Sequence, residues 1–145
     1  MHATLVKFGY PATVLHETAF WCVLMRPQQV TLGALVLCAK SDAPSFSQLP
    51  AAAFAELAEI THHIERALKH FRAYDKINYL ALMMVDPHVH FHVLPRYAET
   101  QSFDGTAFPD PGWPGVPDLK SAPALDETRR AGLHGALLDA FRLSG

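Results

Sequence analysis

The sequence predicts an α+β domain, and three observations carry that expectation. Residues 20–25 and 31–40 are β-rich apolar runs, a long amphipathic helical stretch runs from 51 to about 72, and two more strand-like runs follow at 76–85 and 88–95. A helix with one apolar stripe, set between two pairs of strands, needs a sheet to cover it. At 145 residues the chain has the length of one ordinary domain, read here as a single domain over 1–145.

Each element has its own signal. Gly9-Tyr10-Pro11 precedes a short run at 13–16 that reads as an edge strand. Arg26-Pro27-Gln28-Gln29 separates the first two strong strands as a turn, and antiparallel pairing is the simplest outcome. After Lys40, Ser-Asp-Ala-Pro-Ser is turn chemistry, and Pro50 stands where a first helical residue is expected. Phe54, Leu57, Ile60, Ile64, Leu68 and Phe71 then fall in steps of three and four, with Glu56, Glu59, His63, Arg66 and Lys69 on the other side. Asp86-Pro87 interrupts the later two strands. Pro109, Pro111, Pro114, Pro117 and Pro123 predict an ordered surface loop without regular structure over about 104–123, with Trp113 as its anchor. Asp126 is placed to cap a last helix over about 126–142, whose inner face is Leu133, Leu137, Ala140 and Phe141.

Composition narrows the function. Half of the residues are hydrophobic and 18% are charged, which excludes a disordered or coiled-coil chain. A net charge of −2 gives no global positive field for nucleic acid. Residues 1–20 contain no apolar segment behind a basic start, and the longest apolar run, 30–39, is far short of the ~20 residues a spanning helix needs. A soluble cytoplasmic protein is expected, with no nucleic-acid or membrane partner. Cys22 and Cys38 form no C-x-x-C pair and read as buried thiols. Cys22, in an apolar run without an adjacent base, is a poor nucleophile.

The outstanding count is nine histidines, three of which alternate in Asp86-Pro87-His88-Val89-His90-Phe91-His92-Val93-Leu94-Pro95-Arg96-Tyr97. Random composition gives roughly 0.03 such H-x-H-x-H occurrences in a chain like this. On a strand, His88, His90 and His92 share one face, about 6.6 Å apart, while Val89, Phe91 and Val93 take the other. Three imidazoles make an unsuitable core, because each buried ring needs partners for two nitrogens. Two chemistries suit them. H-x-H on a strand can hold zinc if a further ligand joins, with Asp86, His16 or His134 as candidates. Alternatively a neutral imidazole attacks phosphorus through one nitrogen while an acceptor holds its other N–H, and flanking rings steady the phosphate oxygens. The middle ring is then the nucleophile. Arg96 either engages a phosphate or pairs with a carboxylate. His62, His63 and His70 read as solvated or boundary residues of the helix. Phe8, Tyr10, Phe20 and Trp21 are candidates to stack on a base, or core. No Gly-x-x-x-x-Gly-Lys or Gly-x-Gly-x-x-Gly motif is present.

The run His88-Val89-His90-Phe91-His92-Val93-Leu94 resembles the signature of the histidine triad (HIT) superfamily. Asn78-Tyr79-Leu80-Ala81-Leu82 before it and Pro95-Arg96 after it are similar to bacterial members of the diadenosine polyphosphate hydrolase-like type. The resemblance covers about 14–97. It implies a homodimeric HIT-like fold, an antiparallel sheet with one main helix packed on it and a C-terminal helix. It also implies a hydrolase or transferase acting at the α-phosphate of a nucleotide or dinucleoside polyphosphate. His90 would be the nucleophile, His92 a phosphate contact and His88 an orienting or proton-relay partner, with Asn78 and Arg96 as substrate-binding residues. No metal ion is required for the attack, although a divalent ion can accompany a polyphosphate. Two positions depart from the family pattern. Ala34 lies where many members carry a fourth His, and Met83-Met84-Val85 where many carry Asn or Gln. Nucleotide binding without efficient catalysis, and metal binding by the triad, stay open as alternatives.

Overall fold

The computed structural model describes all of residues 1–145. Its elements run α1 (Ala3–Lys7), β1 (Val14–Glu17), β2 (Trp21–Met25), β3 (Leu35–Ala39), α2 (Ala51–Phe71), β4 (Lys76–Leu80), β5 (His90–Arg96), β6 (Gln101–Phe103), β7 (Thr106–Phe108) and α3 (Glu127–Ser144), with a 3-10 turn at Phe46–Gln48 before α2. The first five strands form one antiparallel sheet in the order β1-β2-β3-β5-β4. This is the α+β architecture expected from the sequence.

Period-2 patterning divides the sheet into two buried faces. Trp21, Val23, Met25, Leu35, Leu37 and Val93 point to the helical side, where they meet Ile60, Ile64 and Leu68 of α2 and Leu133, Leu137, Ala140 and Phe141 of α3. Each large side chain buried there contributes about 1.5–3 kcal/mol. Trp21 is satisfied as well as buried, because its indole N–H donates to the Ala53 carbonyl at 2.8 Å. Cys22, Leu24, Val36 and Cys38 alternate with that set and point the other way, where Leu5 and Phe8 of the N-terminal segment cover them. The Asp126 carboxylate caps α3 by accepting from the Arg129 N–H at 2.8 Å, as its position suggests. His134 fastens the same helix to β1 through the Val14 carbonyl at 2.9 Å.

Several boundaries differ from expectation. Residues 31–34 belong to a turn, because the buried Gln29 side chain takes the local backbone for itself. Its amide donates to the carbonyls of Arg26 and Ala34, and its oxygen accepts from the Gly33 N–H. Gly33 sits at φ +89°, a conformation that favours glycine. The strand expected over 76–85 ends at Leu80, and the one expected from His88 begins at His90. His88 therefore lies between Asp86-Pro87 and the strand, outside the element that carries its two companions. The Pro-rich segment is also shorter than expected. A hairpin, β6–β7, turns through Asp104 and Gly105, both at positive φ; this Asp-Gly pair is the local signal for it, although its three-residue strands lack strong apolar alternation. Phe108 and the carboxylate of Asp110, both nearly sealed from solvent, anchor the Pro-rich loop at its start, whereas the expected anchor Trp113 is only half-buried.

Candidate active site

β5 lies between β3 and β4, so its side chains are covered from both flanks: His90 opposes Cys38, and His92 opposes Val36 and Leu80. The α1 segment closes the same face from above. His90 is 1% exposed and His92 7%. At that depth each ring nitrogen has to be accounted for.

His90 Nδ1 lies 2.7 Å from the backbone carbonyl oxygen of His88. A carbonyl only accepts, so Nδ1 carries the proton and Nε2 keeps its lone pair, with no partner in the chain. The His92 ring stands nearly perpendicular at 85°, with its centroid 5.1 Å from that of His90, and Phe8 packs against both. His92 Nδ1 is fully buried and unpartnered. Burial, reinforced by the charge of Arg26 and by the neighbouring His90, pushes the His92 pKa down to about 4, so the ring is neutral at neutral pH.

His88 stays with the other two although it precedes the strand. Its Nδ1 is 2.8 Å from the Thr4 hydroxyl, and its ring stacks on His2 with centroids 4.1 Å apart and planes 22° from parallel. His2 in turn caps α1, accepting from the Leu5 N–H through Nδ1, and its Nε2 donates to the Ala39 carbonyl at 2.7 Å. Burial lowers the His2 pKa. A fourth imidazole thus joins the site from the N-terminal segment. The sequence offered no signal for it, because a five-residue helix has no periodicity to read and owes its existence to tertiary contacts.

Asn78 and Arg96 share the histidine face but are engaged with each other. Arg96, 3% exposed, donates to the carboxylate of Asp110, to Asn78 Oδ1 at 2.7 Å and to the Gly115 carbonyl at 3.0 Å. With Asp110 buried beside it, the Arg96 guanidinium fastens the Pro-rich loop to the sheet, and of the two partners expected for it, a phosphate or a carboxylate, the carboxylate is the one in place. Ala34 is fully buried against Val30 and Leu94, and contributes no polar group. Just past the paired ends of β2 and β3, the Arg26 backbone N–H donates to the Ala34 carbonyl at 3.0 Å. Met84 and Val85 are exposed, at 79% and 87%.

Beside His92 opens a cavity of about 530 Å³, walled by Phe8, Lys7, Arg26, Asp86 and Lys120. A larger depression, about 720 Å³, lies near the C-terminal ends of α2 and α3 among His62, His70 and Gly145, and holds no triad ring. Of the candidate stacking residues only Phe8 reaches the histidines. Trp21 lies on the opposite face of the sheet, and Tyr10 donates to Glu17 instead. His16 and His134, considered as metal ligands, are likewise elsewhere: His16 packs on His63 and Phe141, and His134 on the Val14 carbonyl. No group of three or more His, Cys, Asp or Glu side chains is disposed to hold a metal ion. No helix is long and apolar enough to cross a membrane.

The sequence model of the HIT domain matches residues 10–99. No curated protein matches the chain. Among solved structures, a histidine triad protein from Marinobacter aquaeolei VT8 superposes with a TM-score of 0.75 at 20% identity, over 100% of this chain and 97% of that one. A histidine triad protein from Sinorhizobium meliloti 1021 gives 0.72 at 20% identity, over 96% and 94%. One from Bradyrhizobium japonicum gives 0.67 at 24% identity, over 94% and 93%. These likenesses extend over nearly the whole chain.

Proposed function

The chain belongs to the HIT domain family, and from that premise we propose that it is a hydrolase or transferase of nucleotides that works through a nucleotidyl-histidine intermediate at His90. The observation that carries this reading is the bond from His90 Nδ1–H to the His88 carbonyl, which fixes the tautomer with a nucleophilic lone pair at Nε2.

The step follows from that geometry. The Nε2 lone pair forms a bond to the α-phosphorus, the bond from phosphorus to the leaving group breaks, and its electron pair departs with the leaving group. The Nδ1 proton stays on the imidazole, held by the His88 carbonyl, so the adduct is a nucleotidyl-imidazolium with a weak P–N bond. Water then adds to the phosphorus, the imidazole leaves neutral, and a nucleoside monophosphate and a proton are released. His92 as a neutral ring donates an N–H to a non-bridging oxygen, and one such preorganised donor is worth about 10²–10³ in rate. His88 orients His90 through its backbone. Its own ring, which Thr4 and His2 hold, is the proton relay to the leaving group in this reading. The attack needs no resident metal ion, and a divalent cation enters as the counter-ion of a polyphosphate.

A panel of diadenosine tetraphosphate, ATP and adenosine 5′-phosphoramidate tests the reading, with AMP as the product followed. Multiple turnover on at least one member supports it. Stoichiometric binding of the same compounds without product supports the alternative of a nucleotide-binding protein, which the apolar side chain of Ala34 favours. The homodimer is part of the same proposal: β4 is a sheet edge with a free row of backbone groups, and exposed Leu82, Met84 and Val85 follow it, a surface suited to a second copy of this chain.

A further inference from the structure

We propose that Thr4 is a positioning residue of the site: its hydroxyl fixes His88 with the ring hydrogen on Nε2, the tautomer opposite to that of His90, and so sets a hydrogen-bond donor beside the nucleophile for the leaving group. The inference rests on the nucleotidyl-transfer reading above and names the residue that prepares the relay ring of that site. Thr4 lies outside residues 10–99, where the HIT domain matches, and belongs to this chain's own N-terminal segment.

The Nδ1 partners of the three triad rings differ in kind. His90 Nδ1 faces a carbonyl, which only accepts, and His92 Nδ1 is buried with no partner. His88 Nδ1 is 2.8 Å from the Thr4 hydroxyl, a group able to donate or to accept. Burial decides between the two. Thr4 is 1% exposed and His88 Nδ1 is the one partner of its hydroxyl, so an O–H turned away from the ring would be stranded without an acceptor. The hydroxyl therefore donates, Nδ1 accepts, and a neutral His88 carries its hydrogen on Nε2. No other polar group competes for the ring. His2, stacked on it at 4.1 Å, has spent Nε2 on the Ala39 carbonyl and Nδ1 on the Leu5 N–H, and the Asp86 carboxylate is held by Lys7 at 2.8 Å. His88 is only half-buried and its Nε2 has no partner in the chain, so that N–H is free to meet a ligand.

Opposite tautomers make the two rings complementary. His90 offers a lone pair to phosphorus through Nε2, and His88 offers an N–H to the atom that departs. As the bond from phosphorus to that atom breaks, the atom keeps the electron pair and the Nε2–H of His88 hydrogen-bonds it. A leaving phenolate needs no more. A leaving amine needs a proton as well, and takes it from Nε2 of the imidazolium form of His88, which becomes neutral and regains a proton from water. The Nδ1–H of the imidazolium donates to Thr4 Oγ1, because a hydroxyl, unlike a carbonyl, changes from donor to acceptor by rotating. Thr4 thus holds the ring in both forms.

Imidazole nitrogen NMR on isotope-labelled protein in mildly alkaline buffer reads the tautomers directly, since a protonated ring nitrogen resonates well upfield of one with a free lone pair. His88→Gln identifies the His88 signals by their loss. The wild type should show His88 protonated on Nε2 and His90 on Nδ1. In Thr4→Val, which keeps the shape and removes the hydroxyl, the two His88 nitrogens should converge toward the average of both tautomers while those of His90 stay in place. Thr4→Ser should restore the wild-type pattern, and Thr4→Ala, which cannot overfill the site, gives the same comparison where Thr4→Val does not fold. His88 protonated on Nδ1 in the wild type, or a His88 pattern indifferent to loss of the hydroxyl, overturns the proposal. In turnover, Thr4→Val should lose at least about tenfold in kcat on adenosine 5′-phosphoramidate with KM little changed, and Thr4→Ser should recover it. On the 4-nitrophenyl ester of AMP, whose leaving group needs no proton, Thr4→Val should keep most of its kcat. An equal loss on both substrates overturns the link to the leaving group. A wild type that turns over neither compound removes the catalytic reading, and the NMR pattern still decides the tautomer.

Discussion

The His88 carbonyl oxygen and His90 Nδ1 are 2.7 Å apart, so the group that sets the tautomer of the central imidazole is main chain. The side chain of His88 looks away from that bond, toward Thr4 and His2. In the proposed mechanism tautomer control and proton relay fall to different atoms of one residue, and mutation separates them. His88→Ala keeps the carbonyl and with it a nucleophilic His90. On a substrate with a good leaving group it should lower kcat by about tenfold or less. On a poor leaving group that needs a proton the loss should reach the 10²–10⁴ of a general acid. Equal, complete loss on both would contradict this division.

Stability should depend on pH through His92. Its folded pKa, about 4, lies below the ordinary imidazole value of 6.5, so between those values the unfolded chain binds a proton that the native chain does not. Stability present above pH 6.5 is therefore lost as pH falls toward 4, and changes no further through this group below that. The full span is worth roughly 3 kcal/mol. His2 and His16, whose pKa values are also lowered by burial, act in the same direction. Urea unfolding at pH 7 and pH 4.5 should show the loss in the wild type and a smaller one in His92→Gln. An identical loss in both would contradict the assignment.

The Arg96–Asp110 pair should be costly to break from one side. Both side chains are 3% exposed, and removing one partner of a buried pair typically costs about 3–5 kcal/mol. Asp110→Ala is expected to fall in that range by chemical denaturation, and Arg96→Met/Asp110→Leu to recover most of it. An Asp110→Ala variant within about 1 kcal/mol of the wild type would show that the loop is held by other contacts.

Assembly is checked by light scattering. A mass twice that of the chain is expected, and Tyr79 and the exposed Leu82 and Met84 bracket the surface concerned. Leu82→Glu/Met84→Glu should shift the mass to that of the monomer. A monomeric wild type would contradict the second-copy reading of the β4 edge.

Legibility in the sequence followed periodicity. Helix α2, whose stripe buries Ile60, Ile64 and Leu68 while its first member Phe54 stays exposed, and the fully buried strands β2 and β3 were readable because burial dictates their composition. His90 and His92 were readable because alternation on a strand has no cheap structural explanation. The features that escaped depend on long-range contacts. Nothing local announces that His2 stacks on His88 or that Arg26 and Lys120 line one cavity beside His92. Arg96 was ambiguous for a related reason: only the fold shows that Asp110 reaches it first. The same holds for His88, whose place near its companions comes from Thr4 and His2 and not from the strand.

The proposed chemistry turns on a covalent bond to one nitrogen. Acid-free quenching of the protein with diadenosine tetraphosphate, followed by peptide mass mapping, should find an adenylyl group on the peptide that contains His90. The adduct should be absent in His90→Ala, which should also be inactive with its unfolding transition retained. Turnover by His90→Ala, or an adenylyl group on any other residue of a competent enzyme, would contradict the assignment of His90 as nucleophile.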